Sequence, residues 1–488
     1  MDTPSFPPPR DETEKHVLEK LIVIRDKLLL LKQDRKTYMQ KQHVLPLYRE
    51  TIELVRQLNE ARSASQAELE ENRVDRVLDS CFQLLSLSFM TIGQNNTAPA
   101  AYALTSSIKR LLDHLAEVDL FSAKDLESIT ETLNQLVRNV QNASTDTSPY
   151  LITLLTNRLE TCKRALDSLC KRLDRLQEPL PQVHEKLISI LRSISSTNTR
   201  PKFSSSDVKS LRDQLEEISA NFRSGAYKTP EGKYPAGSEE VDTLLRKCLL
   251  WADIVLERRG VIPESFKSKY DVLVRIRNDL EKLSMTSKWA LREADLYDYQ
   301  RQLDRIDESR VDGNWLDEDG NKAELYVQRT LLYLVRRSYG YIYFLMVSSN
   351  PVSEALQPVF NQLQTLKKCL IEVKNSGGVS SIRELYPYSL KLNSIDNLRV
   401  DGKFMFNGDI PEGQGSVNEL LAECYELCYE LRVAVETSPP KDEDTDDEEQ
   451  FEAAGGYGTS ETEAEELAAS LADTKLEARP ETRVETAV

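Results

Sequence analysis

The stretch VDTLLRKC, residues 241–248, decides the fold, because the chain repeats it in variant form. VDRVLDSC runs from 74 to 81 and VNELLAEC from 417 to 424, each closing on a cysteine: Cys81, Cys248 and Cys424. By the same alignment Leu334 takes that place in VQRTLLYLV and Arg158 takes it in YLITLLTNRL. Leucine can replace a packing thiol but not a nucleophile. The cysteine therefore reads as a small hydrophobe on a buried helix face, and the helix as one built several times.

Each copy is preceded by a second recurring helix. In DVKSLRDQLEEI (207–218) the apolar residues Val208, Leu211, Leu215 and Ile218 are spaced 3, 4 and 3. The spacing returns at Leu126, Ile129, Leu133 and Leu136, at Leu296, Tyr299, Leu303 and Ile306, and at Leu385, Tyr388, Leu392 and Ile395. It places one apolar stripe on one helix face. An acid stands just before each stripe (Asp125, Asp207, Asp295, Glu384), where a helix amino terminus favours negative charge. Ahead of this helix lies a third, as in IKRLLDHL, ISILRSI and LKKCLIEV.

Helices A, B and C thus recur in order, and prolines at 9, 99, 181, 263 and 351 fall near the start of each set. The expected organisation is a proline-rich leader (1–10), five units at 11–98 (unit 0), 99–180 (unit 1), 181–262 (unit 2), 263–350 (unit 3) and 351–436 (unit 4), and an acidic tail at 437–488. The fold class is all-α: a tandem array of about five three-helix units, a helical rod or solenoid, with short Gly/aromatic hairpin loops and a disordered tail. Adjacent units cover one another's apolar faces, and the unit 3 C helix, the most apolar, should be the best buried.

The loops between helices B and C supply the candidate binding residues. Unit 2 reads RSGAYKTPEGKYPAGS, unit 3 RVDGNWLDEDGN and unit 4 RVDGKFMFNGDIPEGQGS. Arg223, Tyr227, Pro235 and Gly237, then Arg310 and Trp315, then Arg399, Phe404, Pro411 and Gly413 make the shared skeleton. One reading is a partner-binding loop whose aromatic and backbone N–H groups face outward. The preferred reading is a tight turn whose aromatic plugs the bundle end. The acidic run DGNWLDEDGNKAE fails as a calcium loop: with Gly320 at the required glycine, Trp315 falls on the first ligand position and Tyr326 on the last.

Composition excludes several classes. The net charge of −17 is concentrated in the tail, where 16 Asp/Glu face 4 Lys/Arg, so the body is nearly neutral. No basic field suited to nucleic acid or an anionic membrane is present. The longest strongly apolar run, YIYFLMV (341–347), is too short to span a bilayer. The four histidines, His16, His43, His114 and His184, show no paired partner, and no catalytic or metal-binding motif occurs, so no enzyme activity, metal or cofactor is expected. The tail's acidity predicts disorder, with Ser438 and Thr445 as candidate phosphorylation sites.

The run SSIRELYPYSLKLNSIDNLRVDGKF, followed by IPEGQGSVNELLAECYEL, resembles a fungal family of uncharacterised proteins defined only by a domain of unknown function. The likeness covers most of residues 10–435. It implies a cytoplasmic and nuclear location and a loose link to protein turnover or DNA-damage tolerance, and it supplies no catalytic residues. The expected function is that of a non-enzymatic scaffold or adaptor binding protein partners through array surfaces and loops. The rival is a small-ligand protein or enzyme with a pocket between units, which a deep polar pocket of convergent titratable groups would favour.

Overall fold

Local chemistry starts the helices where the acids stand. In unit 1, Ser122 and Asp125 form a reciprocal capping box: Ser122 Oγ accepts from the Asp125 N–H (3.3 Å) and the Asp125 carboxylate accepts from the Ser122 N–H (2.9 Å). In unit 2, Ser204 caps Asp207 in the same way from one side. In units 3 and 4 the B helix is entered instead through a 3-10 turn, Glu293–Asp295 and Ile382–Leu385. In unit 1 the acid is thus part of the start signal through its carboxylate, whereas in unit 2 Asp207 contributes its backbone N–H.

The computed structural model describes residues 6–63, 70–118, 120–143, 147–228, 232–285 and 291–437. Among them the α-helices fall in threes. Unit 0 holds α1 (Glu12–Gln33), α2 (Lys41–Ser63) and α3 (Arg73–Thr91), and unit 1 holds α4 (Ala101–Val118), α5 (Ala123–Gln141) and α6 (Pro149–Leu173). Unit 2 holds α7 (Leu180–Asn198), α8 (Ser205–Ser224) and α9 (Ser238–Arg258). Unit 3 holds α10 (Glu264–Met285), α11 (Leu296–Glu308) and α12 (Leu325–Val347), and unit 4 holds α13 (Gln357–Asn375), α14 (Tyr386–Asp396) and α15 (Gln414–Thr437). Described strands are limited to the two-residue β1 (Arg399–Val400) and β2 (Lys403–Phe404). The fold is an all-α helical array.

The repeated thiol fixes the register between helices A and C. Cys81 Sγ donates to Leu21 O (3.4 Å), Cys248 to Leu187 O (3.9 Å) and Cys424 to Leu363 O (3.5 Å), each crossing from C helix to A helix. In unit 1 the thiol doing this is Cys162, against Thr105 O at 3.8 Å; the expected occupant, Arg158, lies one turn earlier. Under a four-residue slip Leu151, Leu155 and Cys162 fall on Leu155, Leu159 and Leu166, so pattern matching could not tell the two positions apart. Leu334 keeps the same chain separation from buried Leu273 that Cys248 keeps from Leu187. Burial pushes the Cys81 and Cys248 thiols up to about 12 and those of Cys162 and Cys424 up to about 11, so none is a thiolate at neutral pH.

The array also folds back on itself. Besides its own unit, α12 packs on α4 and α7, and α11 packs on α3, so unit 3 is wedged against units 0, 1 and 2. α12 is extensively buried, but the expectation that it would be the best-buried helix fails: α3 buries 13 of its 19 residues against 12 of 23 in α12, because α3 is packed by α1, α4 and the entry to α11 at once. Buried Arg292 fastens this arrangement. Its Nη1 donates to Asp34 O (2.7 Å) and its Nε faces Glu354 Oε1 at 3.0 Å, joining the α1–α2 loop to the start of the unit 3 B helix and to the entry of unit 4. One continuous apolar core therefore runs from Val17 to Met346, while unit 4 keeps a separate core from Val352 to Leu431.

Candidate functional site

The B–C loops are built as plugs and clamps. The sequence RVDG makes the same turn in units 3 and 4. Asp312 and Gly313, like Asp401 and Gly402, take left-handed conformations, closing a two-residue hairpin between Val311 and Asn314 and between Val400 and Lys403. The arginine before each turn grips the aspartate three residues earlier: Arg310 to Asp307 (2.8 Å) and Arg399 to Asp396. Trp315 is 0% exposed and its Nε1–H donates to Ile306 O (3.0 Å). Phe404 is 1% exposed, and Gln414 at the start of α15 bonds both its N–H and its C=O. Tyr227 packs its ring on Phe222, centroids 4.8 Å apart, while Arg223 donates to Ser219 Oγ (3.1 Å). Both rings that head the loops of units 3 and 4 thus lie inside the protein.

The P-x-G segments are also accounted for locally. Gln177 N–H donates to Ala236 O (3.1 Å) and Ser353 N–H to Glu412 O (3.0 Å), so Pro235–Gly237 and Pro411–Gly413 each pin the linker that opens their own unit. Gly237 and Gly413 have φ of +88° and +100°. A Cβ would fall 2.5 Å from Leu176 Cδ2 in the first case and 2.7 Å from Val352 Cα in the second. These glycines let two backbones touch, which leaves no room for a ligand at those helix starts.

Where units 0, 1 and 3 meet, a polar cleft of about 340 Å³ opens, lined by Asp75, Asp79, Tyr102, Arg158, Asp304 and Tyr339 among others. Its charges largely satisfy one another. Tyr102 Oη donates to Asp79 (2.6 Å), which also accepts from Arg158 (3.2 Å); the Arg158 guanidinium lies 4.0 Å over the Tyr102 ring. Tyr339 Oη donates to Asp304 (2.7 Å), which faces Arg110 at 3.5 Å, and Arg76 pairs with Glu308. Burial raises the Asp304 carboxyl above its ordinary range even though Arg110 opposes it. Behind the cleft lies a pair the sequence hid. Contrary to expectation, His114 is partnered: its Nε2 sits 3.2 Å from Asp307 Oδ2 and its Nδ1 3.7 Å from Glu117, within ion-pair reach. Burial alone would lower this histidine, but Asp307 and Glu117 outweigh it and the pKa is raised. Asp307 is 193 residues from His114, a separation no local pattern reveals. The cleft acts as a polar lock between units.

The open surface lies on unit 4. Its B helix and the 3-10 turn before it bury Leu385, Leu392 and Ile395 and leave Ile382, Tyr386 and Leu390 outward, with Tyr386 68% and Leu390 56% exposed. Leu398 and Val400, just beyond the helix, extend the apolar area. Contiguous exposed apolar surface of this kind marks interaction sites. Sequence spacing alone could not find it, since an apolar residue looks the same whether a neighbour covers it or not. Among the described residues no group of three His, Cys, Asp or Glu side chains could hold a metal, and no helix is long and apolar enough to cross a membrane. Asp317, in the rejected calcium loop, closes its own turn by accepting from Asp319 and Asn321 N–H. Ser438 and Thr445 lie outside the described residues.

The architecture defines a class: an all-helical repeat protein whose long-range polar contacts lock the units together. Within that class the chain belongs to the CUB1 family. It is 37% identical over 438 residues to a CUB1 family protein of Schizosaccharomyces pombe, covering 88% of this chain and 94% of that one. It is 35% identical to the Cu(2+) suppressing and bleomycin sensitive protein 1 of Saccharomyces cerevisiae, covering 87% and 90% respectively. A family model described as a protein of unknown function (DUF2408) matches residues 173–293. No solved structure matches the chain.

Proposed function

We propose that the protein is a non-enzymatic adaptor of the cytoplasm and nucleus that holds a protein partner on the outer face of α14. The observation that carries this is the 68% exposure of Tyr386, against 6% for Tyr297, which occupies the matching position of α11. In unit 3 that position is covered by α3, with Tyr297 Oη bonded to Ser80 Oγ. In unit 4 it is bare, although terminal repeats ordinarily present a polar outer face. The budding-yeast relative carries copper suppression and bleomycin sensitivity in its name, and an adaptor acting in DNA-damage tolerance or protein turnover accords with the second of these.

The test compares proximity labelling in cells by three full-length forms: the native chain, Tyr386→Asp with Leu390→Asp, and a control with the exposed Tyr234→Asp in unit 2. A set of neighbours lost only from the unit 4 double variant is expected. The same set retained by that variant, with its helical content intact, sinks the proposal.

A further inference from the structure

Between units 1, 2 and 3 lies a second pocket, of about 580 Å³ and open on one side, whose chemistry differs from that of the polar cleft. Its walls are mainly apolar, with Leu111, Leu115, Ile129, Leu191 and Phe344 contributing. Among the α12 residues that line it, Arg336 and Gly340 stand one helical turn apart.

Gly340 has no packing reason to be glycine. It sits within α12 without a left-handed φ, and a Cβ built there would meet nothing within 4 Å. A mid-helix glycine destabilises relative to alanine, so the residue leaves space that any side chain would fill. Arg336 is half-buried, and its Nε donates only to Leu332 O within its own helix (3.3 Å). Among the described residues no carboxylate lies within ion-pair distance of it. The other cations of the cavity have partners: Arg192 pairs with Asp125, Lys124 with Glu185 (3.4 Å), and Arg337 donates to Tyr341 Oη (2.8 Å). Burial, then repulsion from Arg192, draws the Arg336 guanidinium down to about 10, which leaves it cationic at neutral pH. A half-buried cation with no counter-ion, set against an apolar pocket wall, is stabilised by an anion that reaches it.

We propose that this pocket binds a long-chain carboxylate, with its carboxylate on the Arg336 guanidinium and its hydrocarbon chain in the space beside Gly340. The volume falls within the range of small-molecule sites. A peptide ending in a free carboxylate fits less well. Its backbone would need hydrogen-bond partners, and the wall hydroxyls of Ser128, Ser195 and Ser284 are already bonded to Tyr343, Trp251 and Glu281.

Displacement of anilinonaphthalene sulfonate from the full chain by dodecanoate tests this, with dodecanol and an acetylated apolar hexapeptide as comparison ligands. Dodecanoate should bind once per chain, and dodecanol about tenfold more weakly or less. Arg336→Met should weaken dodecanoate by at least about tenfold, and Arg336→Lys should restore part of the loss. Gly340→Leu should abolish binding with Arg336 intact and without lowering the melting temperature. Native protein that fails to bind dodecanoate overturns the proposal, as does equal binding by the Arg336→Met and Gly340→Leu variants. Capture of the hexapeptide in preference to dodecanoate overturns it in favour of a peptide.

Discussion

Tyr297 in α11 and Tyr386 in α14 follow the same apolar spacing and precede the same RVDG turn, yet one is covered by α3 and the other faces solvent. The difference extends to the whole units. Unit 3 contributes to the continuous core that also serves units 0, 1 and 2, whereas unit 4 closes a small core of its own. What a repeat does is therefore set less by its own sequence than by whether the array folds back onto it. The covered copy became a structural wedge, and the bare copy kept an apolar face.

The strongest way to break that comparison is through the two buried rings. Trp315→Ala and Phe404→Ala should each cost about 3–5 kcal/mol, since both empty a core site. The Trp315 change should loosen the shared core and lower the main unfolding transition. The Phe404 change should release unit 4 first, seen as hydrogen exchange accelerating in α13 and α15 while α1 and α3 stay protected. If both variants lose protection uniformly along the chain, the two cores behave as one and the contrast fails. The tyrosines give a smaller effect. Tyr297→Phe removes a buried hydrogen bond and should cost about 1 kcal/mol in urea unfolding, whereas Tyr386→Phe should stay within roughly 0.5 kcal/mol of native. Equal losses would mean that Tyr386 is covered in solution.

A pH dependence separates the units further. The folded pKa of His114 is raised, so its contribution to stability is complete below the unfolded value of 6.5 and is lost as pH rises through the folded value. Asp307 works in the opposite sense: burial would raise it, but His114 and Arg310 lower it, so its contribution is lost only with acid. Of this pair, only the histidine changes charge between pH 6 and 9. The melting-temperature gap between native protein and His114→Gln should be widest at pH 6 and narrow towards pH 9. Unit 4 contains no histidine, so α15 should show no corresponding change in protection beyond that of free amides. A gap constant across this range would remove His114 from the lock.

Much of the architecture was legible because it is periodic. The apolar spacing of the B helices, the capping box of Ser122 and Asp125 and the buried rings of the unit 3 and unit 4 loops all follow from residues close together in sequence. The register of unit 1 was not legible, because a stripe of leucines tolerates a one-turn slip and only the carbonyl opposite the thiol selects Cys162. Nor was the polar lock: Arg76 meets Glu308, and His114 meets Asp307, across roughly two hundred residues with no intervening pattern. The bare face of α14 and the cavity beside Gly340 depend on which units pack together, and tertiary packing is not written in helical spacing.

The smallest expected effect concerns the thiols with which the repeat announces itself. Cys248 in unit 2 and Cys424 in unit 4 hold equivalent positions, both buried and both donating to an A-helix carbonyl, so neither should react with iodoacetamide at pH 7.5 while the chain is folded. Cys369, exposed on α13, should react at once. The two buried thiols should nevertheless part company on a longer timescale. Cys424 belongs to the separate core of unit 4 and becomes accessible whenever that unit opens, whereas Cys248 waits for the large shared core to yield. Labelling followed by peptide mass spectrometry should therefore order the three as Cys369, Cys424, Cys248. Simultaneous labelling of Cys424 and Cys248 would show that unit 4 has no independent opening, and that its bare helix face belongs to a terminus as firmly held as the wedge it resembles.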